Sequence, residues 1–126
     1  MWASPDPGFN INGNALVTST QFFGGAESED QVLHLSAVRN VQMVKIRDTA
    51  ESSFVYVNTH LHHPITDMDE HIRAYQVSQM LFWVQQSTTL ADKVFIMGDF
   101  NAVPESRTYN LLIDAGFKSS HKVVHG

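Results

Sequence analysis

Val94-Phe95-Ile96-Met97-Gly98-Asp99-Phe100-Asn101-Ala102-Val103-Pro104 is the stretch that decides how this chain is read. Its four leading apolar residues form a short, bounded, partly β-branched run, the pattern of a fully buried strand. The end of that run delivers a carboxylate and a carboxamide, Asp99 and Asn101, two residues apart. At strand spacing the two side chains leave the same face. In an open α/β layer, ligands bind at the carboxyl ends of strands. A carboxylate at the margin of an apolar core also needs charged or hydrogen-bonding partners. The plainer alternative is a strand that runs into an Asx-type turn.

Working outward, Asn58-Thr59-His60-Leu61-His62-His63-Pro64 ends a second apolar strand in a polar cluster. Asn58, His60 and His62 alternate, so all three can line one face. If the two strands are neighbours, Asn58, His60, Asp99 and Asn101 converge. Those residue types suit phosphoester hydrolysis, which needs neutralised phosphate oxygens, an oriented water and a protonated leaving group. A carboxylate binds a hard cation or orients water, carboxamides donate to phosphate oxygens, and an imidazole supplies a proton or a hydrogen bond.

The rest of the chain frames those two tips. Residues 1–13 read as an irregular lead-in, Ala15–Ser19 as a short strand, and residues 24–31 as an acidic connecting loop. Arg39–Arg47 and Ser53–His60 read as a hairpin turned at Asp48–Ser52. Thr66, with Asp69 three residues on, signals a helix start. That helix should run to about Ser87, with Ala74, Val77, Met80, Leu81 and Val84 buried and Gln76, Gln79, Gln85 and Gln86 towards solvent. A second helix follows Pro104, with Tyr109, Leu112 and Ile113 inward and Gly116 at its C-terminal cap. The fold class is α/β or α+β with a mostly antiparallel or mixed sheet, in one domain over 1–126 whose ends, 1–8 and 122–126, are irregular.

Composition narrows the function classes. With 126 residues, a net charge of −5 and no cysteine, disulfides and thiolate metal sites are excluded. Mild acidity disfavours non-specific binding of long nucleic acids, which needs clustered Lys and Arg. No run is apolar enough to span a bilayer and no signal peptide is visible, so an intracellular, cytoplasmic or nuclear setting is expected.

Asn-Thr-His-Leu at 58–61, followed after a helix by Val-Phe-Ile-Met-Gly-Asp-Phe-Asn at 94–101, resembles the endonuclease/exonuclease/phosphatase family, the DNase-I-like superfamily. Gly13–Val17 resembles that family's Gly-rich strand, Arg39 and the pair Arg73 and Gln76 fall in order, and Tyr109, Leu112 and Gly116-Phe117 fit the segment after the second motif. The resemblance covers roughly residues 9–121 and implies a four-layered sandwich and hydrolysis of phosphate esters with Mg²⁺ or Mn²⁺. By the same resemblance His60 would stabilise the phosphoryl transition state or protonate the leaving group. Asp99 would orient the attacking water or bind metal, Asn101 would hold the phosphate, and Asn58 would support that end. His62 and His63 lie outside the motif and read as loop histidines. The family's metal-binding Glu has no counterpart in residues 1–12, and its Ser-Asp-His element is not matched by His121 or His125. The resemblance therefore implies a partial domain of weak or absent activity, which self-associates or pairs with a missing half. The substrate, whether nucleic acid, phospholipid or inositol phosphate, is left open.

Two other readings compete. His60-Leu61-His62 is similar to the His-x-His of zinc hydrolases, although Pro64-Ile65 stands where further ligands belong. An inactive, truncated paralogue kept as an interaction module is the non-enzymatic alternative.

Overall fold

A computed structural model describes residues 2–3, 14–15, 28–64 and 66–126. The strands are β1 (Trp2–Ala3), β2 (Asn14–Ala15), β3 (Ser28–His34), β4 (Asn40–Arg47), β5 (Ser53–His60) and β6 (Lys93–Asp99). The helices are α1 (Asp67–Ser87), α2 (Arg107–Asp114) and α3 (Ser120–His125). Strands β1 and β2 pair with each other, and the other four form one sheet in the order β3-β4-β5-β6. Within that sheet β3, β4 and β5 are antiparallel, whereas β6 lies parallel to β5. A parallel neighbour cannot be reached by a tight turn, and the long helix α1 supplies the crossover.

Sequence explains where α1 starts and which face it buries. The Thr66 hydroxyl accepts from the Asp69 amide, and Asp67, Asp69 and Glu70 oppose the helix dipole in the first turn. Ala74, Val77, Met80 and Val84 are buried, and the last three pack with Val41, Met43, Val55, Val57 and Leu61 into the main core. Each such buried aliphatic side chain contributes on the order of 2 kcal/mol. The opposite face of β4 buries Val44 and Ile46 against Tyr56. Because β4 is covered on both faces, its alternation of polar and apolar residues is imperfect.

Five expectations need correction. Strand β6 is an edge strand among the described residues, and Phe95 and Met97 are 47% and 40% exposed, so it is not fully buried. Residues 28–31 are no loop but the first half of β3, whose ladder to β4 outweighs its acidic composition. Gln76 is buried because it serves a backbone amide near the site, as described below, and Gln79 is half-buried. Ile113, expected inward, is 38% exposed at the end of the short helix α2. Residues 122–126 are largely helical, because Ser119 caps α3 by accepting from the Lys122 amide. Of the early strand candidate only Ala15 is in a strand, and residues 16–19 lie outside the described residues.

Candidate active site

The two polar clusters meet. Parallel pairing of β5 with β6 sets Thr59 opposite Gly98 and His60 opposite Asp99. His60 Nε2 stands 3.8 Å from Asp99 Oδ2, with both side chains open to solvent. Beyond the ladder, the Leu61 amide donates to the Asp99 carbonyl at 2.9 Å, so the strands remain joined past their last paired residues. Asn58 shares the face of His60 and lies between Gln42 of β4 and Met97 of β6 in the register.

The approach of the two tips depends on glycine. A Cβ at Gly98 would sit 1.9 Å from the Thr59 carbonyl oxygen, and the residue adopts φ +131°, a region closed to other side chains. That contact is why the apolar run must break at this position before the acid.

Asp99 and Asn101 do not project as alternate residues of one strand. Strand β6 ends at Asp99, and Asn101 has a left-handed φ of 48°. Asp99 Oδ1 accepts from the Asn101 amide at 2.9 Å, an Asx turn that leaves Oδ2 turned towards His60. The Asn101 side chain then crosses back, and its Nδ2 donates to the Leu61 carbonyl at 3.0 Å. The turn and the catalytic readings of Asp99 are thus compatible, one oxygen serving each.

His62 also departs from the expected alternation. It lies past the end of β5, and its Nε2 sits 2.6 Å from Asp69 Oδ1 on α1 rather than beside His60. The Thr66 hydroxyl also donates to Asp69, and these contacts, Thr66 first and His62 second, hold the Asp69 carboxyl below its usual range. His63 is exposed. Among the described residues, no three His, Asp or Glu side chains gather as metal ligands.

A buried polar hub behind the tips was legible only as residue order. Arg73, 1% exposed, donates to the carbonyls of His62 at 3.1 Å and Pro64 at 2.6 Å. The same guanidinium meets Glu70 Oε2 at 3.2 Å, and Glu70 Oε1 accepts from the Thr108 amide at 2.7 Å. Gln76 Oε1 accepts from the His62 amide at 2.9 Å. One ion pair therefore clamps the loop after His60 to the helix after Asn101. Burial raises the Glu70 carboxyl, but the Thr108 amide and Arg73 outweigh it and hold the group below its usual range. The helical spacing of Glu70, Arg73 and Gln76, three residues apart, was the available signal.

Comparison with known proteins agrees with this geometry. No curated protein sequence matches the chain. Among solved structures it is similar to humanized D. rerio TDP2 carrying 14 mutations, at 15% identity and TM-score 0.51, over 73% of this chain and 35% of that one. It is also similar to D. rerio TDP2 complexed with single strand DNA product, at 14% identity and TM-score 0.52, over 73% and 34% of the two chains. A third is truncated Caenorhabditis elegans TDP2, at 22% identity and TM-score 0.50, over 62% and 32%. The matched region spans about a third of each of those chains. These likenesses show the fold, a mixed α+β arrangement consistent with part of a DNase-I-like domain. The sequence profile of the Endonuclease/Exonuclease/phosphatase family matches residues 3–122, so with the His60–Asp99 juxtaposition in place the chain belongs to that family.

Proposed function

We propose that the tips of β5 and β6 form a phosphoesterase site in which water attacks a phosphate ester in line. The observation that carries this reading is the 3.8 Å approach of His60 to Asp99 across parallel strands. Asp99 Oδ2, free of the Asx turn, accepts a hydrogen bond from the attacking water and orients it. The His60 imidazole donates to a non-bridging oxygen or to the departing oxygen, where negative charge grows in the transition state. Asn58 donates to the phosphate from the same strand face, and the second amide hydrogen of Asn101 remains available after its bond to Leu61.

The donor set fits a hard divalent cation held loosely. Asp99 presents a carboxylate 63% exposed, and a Mg²⁺ or Mn²⁺ bound through one carboxylate keeps most of its shell as water. Bound there, such a cation supplies charge neutralisation on the phosphate. Asp99 is the residue that would hold it.

D. rerio TDP2 was solved with a single strand DNA product, which makes a DNA phosphodiester the first substrate to test. The purified chain is assayed with a single-stranded oligonucleotide and with bis(p-nitrophenyl) phosphate, in Mg²⁺ and in Mn²⁺. Turnover that falls at least about a hundredfold in both His60→Ala and Asp99→Asn is expected. Turnover indifferent to both substitutions, with each variant folded, would refute the assignment.

The second reading is a binding module without turnover. It is favoured by one observation, that among the described residues Asp99 at the strand tips is not joined by further carboxylates or imidazoles in a cluster able to hold a metal. Inorganic phosphate that binds the chain, with no hydrolysis in either metal, identifies that case.

A further inference from the structure

The tip of β5 is fastened at a residue that the proposed chemistry does not use. Leu61, fully buried, is the joint between the two polar tips. Its amide donates to the Asp99 carbonyl at 2.9 Å, and its carbonyl accepts from Asn101 Nδ2 at 3.0 Å. The next residue, His62, is tied to α1 through both its main chain and its ring. The His62 amide donates to Gln76 Oε1 at 2.9 Å, its carbonyl accepts from Arg73 Nη1 at 3.1 Å, and its ring Nε2 meets Asp69 Oδ1 at 2.6 Å. The first two contacts hold backbone and would serve any residue there except, at the amide, proline. The third needs a side chain with a donor at the reach of Nε2.

Asp69 is set up to receive that donor. Its Oδ2 accepts from the Thr66 hydroxyl, which leaves Oδ1 to His62. Thr66 and then His62 hold the Asp69 carboxyl below its usual range, so it is ionised near neutral pH and can only accept. Nε2 therefore carries the hydrogen, in the neutral ring and the protonated one alike. The two side chains are 29% and 14% exposed, so water competes for this contact less than at an open surface pair. The nearby Arg73 guanidinium is committed to Glu70 and to the loop carbonyls, and leaves the pair undisturbed.

We propose that His62 is a positioning residue for the His60–Asp99 pair, its ring seated on Asp69 so that Leu61 stays in register with the end of β6. For its effect on turnover the inference rests on the phosphoesterase reading; for its effect on the strand tips it rests on the hydrogen bonds alone. His62 stands away from the reacting atoms and acts through Leu61. Without the ring contact the loop keeps its main-chain ties to α1 but gains freedom to tilt. Leu61 then loses its fixed distance to Asp99 and Asn101. A catalytic group displaced by about 1 Å can slow a reaction by about a hundredfold.

Two variants of the intact chain separate positioning from general support. His62→Ala removes the ring, whereas His62→Gln sets an amide N–H near the place of Nε2. Each is measured by steady-state hydrolysis of bis(p-nitrophenyl) phosphate and by amide hydrogen exchange. His62→Ala is expected to lower kcat by about tenfold or more with KM changed less than about twofold. Its Leu61 amide exchanges faster while the amides of β4 keep their protection, and His62→Gln recovers most of both effects. Unchanged kcat together with unchanged exchange at Leu61 in His62→Ala overturns the proposal. Protection lost evenly across the chain overturns it as well, as does a glutamine variant no better than alanine, since the ring is then a filler of space. Should the wild-type chain hydrolyse nothing, the phosphoesterase reading fails by itself, and exchange at Leu61 in the two variants still decides the role of the ring.

Discussion

Asn101 Nδ2 donates to the Leu61 carbonyl at 3.0 Å, tying the turn after β6 to the residue immediately after His60. The residue also sits at φ 48°, where glycine and asparagine are comfortable and alanine is not. Two substitutions separate the contributions. Asn101→Gly keeps the backbone and loses the hydrogen bond, at about 1 kcal/mol. Asn101→Ala loses both, at about 1 kcal/mol more. Urea unfolding of the two variants checks the ordering, and equal losses would mean that the left-handed turn is not imposed on the folded chain.

Gly98 tolerates no side chain. Alanine there would drive a methyl group into the Thr59 carbonyl, and that atom belongs to the central strand β5 and cannot move aside. Gly98→Ala should therefore cost about 3 kcal/mol or more, or prevent folding. A thermal melt that matches wild type would show that β5 and β6 do not approach as closely as the register requires.

The sequence was most legible where pattern and chemistry coincide. Thr66 with Asp69 marked the start of α1 to the residue, and Gly116 at φ 94° closes α2 just past Ala115. Asn58 and His60 on β5 and Asp99 on β6 reached one end of the sheet because two neighbouring strands each run from apolar residues into a polar end. Strand β3 was hidden because Glu29 and Asp30 look like loop residues, and only the seven-residue ladder to β4 places them in a sheet. The exposure of Phe95 and Met97 was equally hidden, since an apolar run reads the same in the middle of a sheet and at its edge. Gln76 looked solvent-facing by composition, yet it and Arg73 sit inside because backbone groups of the loop after His60 need partners there.

Arg73 and Glu70 show what that need is worth. Their contact joins a guanidinium 1% exposed to a carboxylate 22% exposed, and the guanidinium also holds two loop carbonyls. Arg73→Met takes the cation from the half-buried Glu70 carboxylate and the donor from the His62 and Pro64 carbonyls, so it should cost about 3 kcal/mol. Arg73→Lys recovers only part, because an ammonium cannot reach two carbonyls and a carboxylate with planar, forked geometry. Hydrogen exchange offers a sharper reading than the melt. The amides of His62 and Thr108, which the hub holds, should lose more protection than those in β4. Uniform loss across the chain would reduce Arg73 to a general stabiliser.

Acid should unfold the chain through three carboxylates whose ordinary values are 3.8, 4.5 and 3.8 and which are held lower in the fold: Asp69, Glu70 and Asp92. Asp69 is held by Thr66 and His62, and Glu70 by the Thr108 amide and Arg73 against the cost of burial. Asp92 accepts from the amides of Thr89 and Ser53, with Lys45 nearby, and so joins the turn before β6 to the start of β5. A carboxyl with a depressed folded value contributes stability that is complete above its unfolded value and disappears as pH falls through the folded one. From these three groups, unfolding midpoints at pH 7 and pH 5.5 should therefore differ little, with the loss beginning as pH drops below about 4.5 and deepening towards lower pH. Glu70→Gln and Asp92→Asn lower stability at pH 7 but flatten the acid limb, since each removes one proton uptake from the unfolding transition. A steeper acid limb in either variant would assign the sensitivity to other groups.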